Sequence, residues 1–264
     1  MHKWNLRVAT QCPWNRPQVT RSRRCAIISP NVIHISRLWQ DVAGGGFFYN
    51  PYMALYLQKE LENGAKIYVW DMTETEEELL ATTSVPDDEL EELSYIKGES
   101  RRREKLATRA LLNTIFPEKL YLGHHDNGKP YLHNTAVEIS ITHDNRFVAI
   151  IVHPDEDLGI DIESLDRDFS VVEKKALSED EIEDLDDKKK NLQLAIYWCA
   201  KEAIFKRMSL NGVDFAEQIE IDKFNPHEDG ELDATFIHKD GTEMEFELGY
   251  EVFEGHVMVW VPNK

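Results

Sequence analysis

The sequence predicts an α+β fold, and three observations support that prediction. Strand-like segments outnumber helical ones, and the order strand–helix–strands occurs twice along the chain. The chain of 264 residues is long enough to bury one large core or two small ones. Mixed strands and helices in this order are typical of α+β domains. We therefore expect two similar halves, each a small antiparallel sheet packed on a long helix, that meet near residues 153–158.

The individual elements follow from hydrophobic period and from turn residues. The predicted strands are KIYVWDM (66–72), two strands within VEISITHDNRFVAIIV (137–152), GIDIE (159–163), and four closing segments, QIEID, DATFIH, EMEFELGYEVF and HVMVWV. The predicted helices are acidic turns at 74–93 broken at Pro86, a helix at 99–116 ended by Pro117, an acidic segment at 178–187 and a long helix at 191–209. Between them, DNGKPYL (126–132) predicts a turn that leads into an extended segment.

Residues 1–52 differ from the rest of the chain in composition. They hold seven Lys or Arg residues against one acid, Asp41, whereas the whole chain has 30 Lys or Arg and 49 Asp or Glu. No sustained period runs through them, and three interpretations stay open: an over-extended start with Met53 as the first residue, a disordered tail, or an acid-poor transit peptide. We exclude this segment from the fold prediction and assign residues 53–153 and 154–264 to the two halves.

Composition also argues against several classes of protein. The longest apolar run, FVAIIV at 147–152, is too short to cross a bilayer. The three cysteines are too few and too scattered for a disulfide framework or a zinc knuckle, which suits a reducing cytoplasm. A formal net charge of −19 repels nucleic acid unless the cations are focused in one patch. We expect a cytoplasmic protein with neither membrane nor nucleic acid as a partner.

Two acids stand two residues apart in the strand-like segment GIDIESLDRD (159–168). The strand period places Asp161 and Glu163 on one face and the isoleucines on the other. Two carboxylates on one face suit Mg²⁺, which keeps its other positions for water or phosphate. A sheet rim on which both acids are solvated explains the pair equally well.

A third acid lies in the long helix, within YWCAKEAIFK (197–206). At about 100° per residue, Glu202 lies close to Trp198 and Phe205 on the helix surface, on or beside the core-facing stripe. Lys206 follows Glu202 at the favourable i+4 position. Taken alone, Glu202 and Lys206 are better explained as an ordinary surface ion pair, and Lys201 as a solvated charge.

The two segments together resemble the signature of the 4′-phosphopantetheinyl transferases of the surfactin-synthetase-activating type. GIDIE at 159–163 is followed by WCAKEAIFK at 198–206, as in the family pattern G-[IV]-D-x-E, a gap, then W-x-x-K-E-x-x-x-K. The resemblance covers about residues 66–210. It implies two halves related by a pseudo-twofold axis and Mg²⁺ bound by Asp161, Glu163 and Glu202.

The resemblance also implies a site for coenzyme A. GKPYL resembles the family's G-K-P element, whose lysine reaches a phosphate, and ISITHDNRFVAI resembles a strand whose histidine contacts a phosphate. Thr142 replaces the usual serine of that strand, and Asp144 stands where a small hydroxyl residue is common. The basic helix RRREKLATRALL resembles the family's helix that holds the 3′-phosphate of coenzyme A. The residues implied at this site are Arg102, Arg109, Lys129, Pro130, Thr142 and His143, with the family-typical Lys201.

The reaction implied is transfer of the phosphopantetheine arm of coenzyme A to a serine of an apo acyl- or peptidyl-carrier protein, with release of adenosine 3′,5′-bisphosphate. Glu202 is the implied general base, acting directly or through a water, and Lys206 is implied either to stabilise the leaving phosphate or to protonate it. With both halves in one chain, a monomer suffices.

Two other classes of protein remain open on the sequence. A Mg²⁺-dependent nuclease also uses close acids and a lysine, but it needs a basic groove that the acid excess argues against. A non-catalytic, carrier-binding relative would keep the fold, although the intact set of three acids and Lys206 argues against it. Neither GxxxxGK[ST] nor GxGxxG occurs, so a P-loop or a dinucleotide-binding fold lacks its phosphate cradle.

Overall fold

The computed structural model describes residues 54–116, 118, 120–133 and 135–262, together with the backbone of residues 32–34. Two five-stranded antiparallel sheets and two long helices dominate the described part, which confirms the predicted α+β class. The twofold relation between the halves and the boundary at residue 153 stay predictions. Residues 32–34 form a strand inside the segment that we excluded from the fold prediction. Our interpretations of the rest of residues 1–52, and of Met53 as a start, fall outside the described residues.

The first sheet contains the predicted strands of the first half. Its order is β1 (Val32–His34), β2 (Leu55–Glu60), β3 (Lys66–Asp71), β7 (Phe147–His153) and β6 (Glu138–His143). Every residue of β7 is buried, and its side chains alternate between two clusters. Val148 and Ile150 pack towards the helices of this half, whereas Ala149 and Ile151 pack towards the second sheet. The continuous apolar run therefore reflects a strand that is covered on both faces.

Three helices follow β3: α1 (Glu76–Thr82), α2 (Asp87–Tyr95) and α3 (Glu99–Ile115). Thr75 and Glu78 form a capping box at the start of α1. The predicted break at Pro86 is confirmed, since Pro86 lies directly before α2 as its N-cap residue. The apolar side of α3, including Leu106 and Leu111, packs in the first half's core.

The second sheet contains the strands after residue 158. Its order is β8 (Gly159–Ser164), β12 (His256–Val261), β11 (Glu243–Phe253), β10 (Asp229–Ile237) and β9 (Ile219–Ile221). The long helix α6 (Lys190–Met208) packs across β8 and β12. The smaller elements are β4 (Leu122–His124), β5 (Pro130–Leu132), α4 (Ser170–Lys175), α5 (Glu179–Glu183) and α7 (Phe215–Gln218). Of the described elements, the sequence reasoning missed β1, β2, β4, α4 and α7, which are short or have a weak hydrophobic period.

The two sheets meet where the edge strands β6 and β8 run beside each other. The backbone N–H groups of Ile160 and Ile162 donate to the hydroxyl oxygens of Ser140 and Thr142, each at 3.3 Å. The hydroxyls thus satisfy donors that an unpaired strand edge would leave exposed. Among the described helices, none has the length and apolar character needed to cross a membrane.

Candidate active site at the contact of β8 and α6

Strand β8 and helix α6 lie unusually close together at Gly159. A Cβ atom at this position would lie 1.9 Å from the carbonyl oxygen of Ala203 in α6, so any side chain would push the two elements apart. Asp161 follows on β8, and Glu202 precedes Ala203 on α6. The glycine that opens GIDIE therefore sets the distance between the two groups of acids.

Asp161 is buried at this contact, and only one of its carboxylate oxygens has partners. Oδ1 accepts hydrogen bonds from Lys206 Nζ at 2.7 Å and from the Thr142 hydroxyl at 3.0 Å. Oδ2 is also buried, and no described residue gives it a hydrogen bond of normal geometry, although the Cys199 thiol lies close to the carboxylate. A buried acceptor without a partner destabilises a fold by about 1–3 kcal/mol, and more when it is charged. Asp161 thus presents an oxygen that a cation would satisfy.

Glu163 lies further along β8 and is held by two side chains. Its Oε1 accepts a hydrogen bond from Trp198 Nε1 at 3.0 Å and forms an ion pair with Arg167. Burial raises the pKa of the Glu163 carboxyl, against the opposing effect of Arg167, and the charge of Asp161 raises it further. The strand period thus places Glu163 next to Asp161, as the sequence predicted.

Glu202 faces these acids from α6. Burial raises the pKa of its carboxyl to about 7, and repulsion from Asp161 adds to the effect. In the described part of the chain, its carboxylate takes part in no hydrogen bond or ion pair. A carboxyl with a pKa near neutrality is half ionised there, which suits a group that accepts a proton during a reaction.

These residues fit a hard divalent cation. Their donors are all carboxylate oxygens, which Mg²⁺ prefers, and two of the acids have an oxygen or a whole carboxylate without a hydrogen-bonding partner. The carboxylate oxygens of the three predicted acids do not all lie within 4.8 Å of one another. Within the described ranges, the acid and histidine group whose ligand atoms all lie within 4.8 Å of one another is His153, Asp155 and Glu156 instead.

The geometry of His153 argues against metal binding by that second group. Its Nδ1 accepts hydrogen bonds from the backbone N–H groups of Asp155, at 3.3 Å, and Glu156, at 3.0 Å. Its Nε2 lies 3.2 Å from the carbonyl oxygen of Asn63, so this nitrogen carries the proton. Both ring nitrogens are therefore used to hold the link between β7 and β8 against the β2–β3 turn.

The two arginines predicted to bind coenzyme A are paired with acids of α1 and α2. Arg109 is 3% exposed, forms a two-pronged ion pair with Glu89, and donates to the carbonyl oxygen of Leu120 at 2.9 Å. Arg102 donates to both carboxylate oxygens of Glu76, at 2.7 and 2.8 Å. The acids of α1 and α2 thus already satisfy both guanidinium groups.

Three predicted residues line one cavity beside α3. Arg109, Pro130 and His143 border a space of about 250 Å³ between α2, α3 and the β4–β5 hairpin. Burial lowers the pKa of His143, whose Nε2 lies 2.8 Å from the guanidinium of Arg101. Lys129 lies nearby and forms ion pairs with Asp157 and with Glu138.

Thr142 and Lys201 lie elsewhere and have other partners. Thr142 is bound to Asp161 on one side and to the backbone of β8 on the other. Lys201 is fully buried, and its Nζ donates to Glu181 at 2.7 Å and to the carbonyl oxygens of Phe215 and Ile219. Lys201 therefore ties α6 to α5, α7 and β9.

Sequence reasoning missed two groups of residues near the site. Arg101 contacts His143 and pairs with Glu104 at 3.0 Å, both on the cavity wall. Asp144 and His256 form a buried ion pair at 2.7 Å that joins the β6–β7 turn to β12. Asp144 stands where a small hydroxyl residue is common in the family that the sequence resembles. This difference could have pointed to His256, because a buried acid needs a partner.

One family model matches this part of the chain. The model is described as the 4′-phosphopantetheinyl transferase superfamily, and the match spans residues 157–259, which include β8, α6, the three acids and Lys206. No curated protein matches the chain at the stringency of that comparison. The match supports the superfamily that the sequence motifs predicted, whereas the surfactin-synthetase-activating type stays a prediction.

Proposed function

We propose that the chain transfers the 4′-phosphopantetheine arm of coenzyme A to a serine of an apo acyl- or peptidyl-carrier protein. The family match supports phosphopantetheine transfer in general terms. Two observations at one place carry the proposal. Asp161 has a buried oxygen without a hydrogen-bond partner, and the nearby Glu202 carboxyl has a pKa raised to about 7. Burial and the repulsion between these acids raise the pKa of Glu202, and a divalent cation would relieve that repulsion, so the pair of observations suits a cation site.

Asp161, Glu163 and Glu202 would hold Mg²⁺ in this proposal. The ion, when bound, neutralises charge on the pyrophosphate of coenzyme A and orients it. The protein's part is to keep the carboxylates on the rigid contact of β8 with α6, where Gly159 sets their spacing. Thr142 positions Asp161, and Trp198 positions Glu163, through the hydrogen bonds described above.

The chemical step moves one proton and exchanges one bond. The serine oxygen of the carrier bonds to the phosphorus that bears the pantetheine arm, and the bond from that phosphorus to the bridging oxygen breaks. Glu202 takes the serine proton, and adenosine 3′,5′-bisphosphate leaves with the bonding electron pair. Lys206, which lies 2.7 Å from Asp161, would stabilise the negative charge of the leaving phosphate.

The cavity beside α3 is the proposed place for coenzyme A. Arg101, Lys105, Arg109 and His143 supply its cationic or hydrogen-bonding wall. Lys129 and Pro130 belong to the same proposal through the β4–β5 hairpin. A monomer in a reducing cytoplasm completes the proposal, because both halves belong to one chain and the cysteines form no disulfide pattern.

Intact-mass spectrometry of a carrier protein tests this function. The full chain is incubated with coenzyme A, Mg²⁺ and an apo carrier, with and without EDTA. We expect a phosphopantetheine adduct that is lost with EDTA and with Glu202→Gln but kept with Glu231→Gln, an exposed charge change on β10. If the chain binds coenzyme A but forms no adduct on an acyl- or a peptidyl-carrier protein, a non-catalytic, carrier-binding relative is favoured and the proposal is contradicted.

A further inference from the structure

Two carboxylates of helix α2 form ion pairs with two cations of helix α3. Glu89 forms the two-pronged ion pair with Arg109, and Glu92 forms an ion pair with Lys105 at 2.9 Å. All four residues line the cavity of about 250 Å³ beside His143. Helix α2 therefore supplies two of the carboxylates on the cavity wall, and these two neutralise Arg109 and Lys105; Glu104 of α3 is a further carboxylate there and pairs with Arg101.

Apolar contacts hold α2 only weakly. Of its nine residues, Leu93 is the buried one, whereas Leu90 is 41% and Tyr95 is 74% exposed. Its N-terminus has no side-chain cap. A helix with so little buried apolar surface depends on other contacts for its position. Val85 and Ile96, which flank α2, pack against the core, so within the helix itself the ion pairs to α3 and the contact of Leu93 hold its position.

We propose that α2 is an autoinhibitory strap whose Glu89 and Glu92 occupy Arg109 and Lys105 until phosphate groups of coenzyme A displace them. The inference rests on the proposed function, because it takes coenzyme A as the anion that enters the cavity. It adds that two carboxylates of the chain itself compete with the ligand's phosphates for Arg109 and Lys105.

The two ion pairs should open in different ways. Lys105 and Glu92 have side chains that are 40% and 65% exposed, so solvent screens their attraction and little is needed to separate them. Arg109 is buried, and leaving its charge without a partner is strongly unfavourable. Glu89 therefore yields only to a ligand group that replaces it, and a phosphate offers more charge and more acceptor oxygens than a carboxylate.

This difference predicts how the strap affects discrimination between ligands. The 3′-phosphate of coenzyme A can take the place of Glu89 at Arg109, whereas dephospho-coenzyme A lacks that group and leaves the pair intact. Neutralising Glu89 should therefore improve binding of coenzyme A and change binding of dephospho-coenzyme A much less.

Titration calorimetry on the full chain tests the strap with both ligands. Glu92→Gln should bind coenzyme A about two- to fivefold more tightly, the range expected for an exposed ion pair. Glu89→Gln should raise the ratio of the two affinities by about tenfold. Glu91→Gln removes the same charge from the same helix, where Glu91 contacts Tyr95 rather than α3, and should change neither affinity.

The outcomes separate the strap from the proposed function. Tighter coenzyme A binding by Glu92→Gln and by a folded Glu89→Gln, with no effect of Glu91→Gln, supports the strap. Equal binding by wild type, Glu92→Gln and Glu91→Gln overturns the strap but leaves the proposed function standing. If neither wild type nor the Glu89→Gln/Glu92→Gln double variant binds coenzyme A, the proposed function fails and the strap fails with it.

Discussion

The basic helix α3 and the acidic contact of β8 with α6 are two charged regions built in opposite ways. On α3, the predicted ligand-binding Arg102 and Arg109 already have carboxylate partners. At β8 and α6, one buried oxygen of Asp161 has no hydrogen-bond partner, and the pKa of Glu202 is raised to about 7. The two predicted arginines of α3 are thus paired without a ligand, whereas the acid site keeps a buried oxygen without a partner.

The difference has a physical basis. The cations of α3 and the acids of α1 and α2 lie on neighbouring helices, so their long side chains can reach each other and pair. The acids of β8 and α6 are close because the backbones pack tightly at Gly159, and Lys206 and Arg167 satisfy them only in part. Unsatisfied buried charge is tolerated in native proteins mainly where function requires it.

Replacing Glu202 gives the largest expected effect on the acid site. Glu202→Gln keeps the shape of the side chain but removes the proton acceptor, so we expect transfer to fall by at least about 100-fold, the usual contribution of a general base. Intact-mass rates on the carrier measure it, and calorimetry should show that the folded variant keeps some coenzyme A binding. Turnover near the wild-type rate would remove Glu202 from the site.

Lys201 differs from the acids of the site, because it is buried together with a charged partner, Glu181. Burial lowers the pKa of Lys201, and Glu181 offsets part of that effect. Lys201→Met leaves the Glu181 carboxylate without its charged partner, so we expect a loss of about 3–5 kcal/mol in the free energy of unfolding. Urea denaturation measures it.

Adding Glu181→Gln to Lys201→Met should restore most of the lost stability, since no buried charge then remains. If Lys201 instead binds coenzyme A, the single variant will keep its stability and lose ligand affinity.

Gly159 tests whether tight packing creates the acid site. Gly159→Ala places a methyl group against the Ala203 carbonyl oxygen, and overpacking of this kind reduces the free energy of unfolding by about 1–3 kcal/mol. We expect lower transfer activity as well, because β8 and α6 move apart. Gly98→Ala is the control, since the nearest atom to its Cβ lies 3.9 Å away. Unchanged stability and activity in Gly159→Ala would contradict the packing argument.

The Asp144–His256 pair gives the smallest expected effect, a dependence of stability on pH. Burial lowers the pKa of His256, but Asp144 outweighs burial and holds that pKa above its usual 6.5. The contribution of His256 is therefore complete below about pH 6.5 and is lost as pH rises through the folded-state pKa. His256 also holds the pKa of Asp144 down against burial, so the contribution of Asp144 is lost only in acid.

Thermal unfolding across pH 5–9 measures this dependence. His256→Gln should flatten the decline above neutral pH, by on the order of 1 kcal/mol. A decline of the same size in His256→Gln would assign the dependence to other groups.

Local sequence patterns predicted much of the fold and of the acid site. The period of two in GIDIE placed Asp161 and Glu163 together, because alternate side chains of a strand share one face. The helical step in YWCAKEAIFK placed Glu202 and Lys206 beside the apolar stripe, and Pro86 divided α1 from α2. These predictions needed only backbone geometry within one element.

Only the tertiary structure decided which charged groups are paired. Arg109 and Glu89 lie on different helices, as do Lys201 and Glu181, and Thr142 meets Asp161 across the contact of two sheets. A motif identifies Arg109, Thr142 and Lys201 by residue type, but their partners depend on how separate elements pack. The sequence by itself therefore determined that Asp161 and Glu163 share one face of β8 and that Glu202 lies beside the apolar stripe of α6. The fold decided which cations are already neutralised, because pairing across elements depends on distances that no local pattern contains.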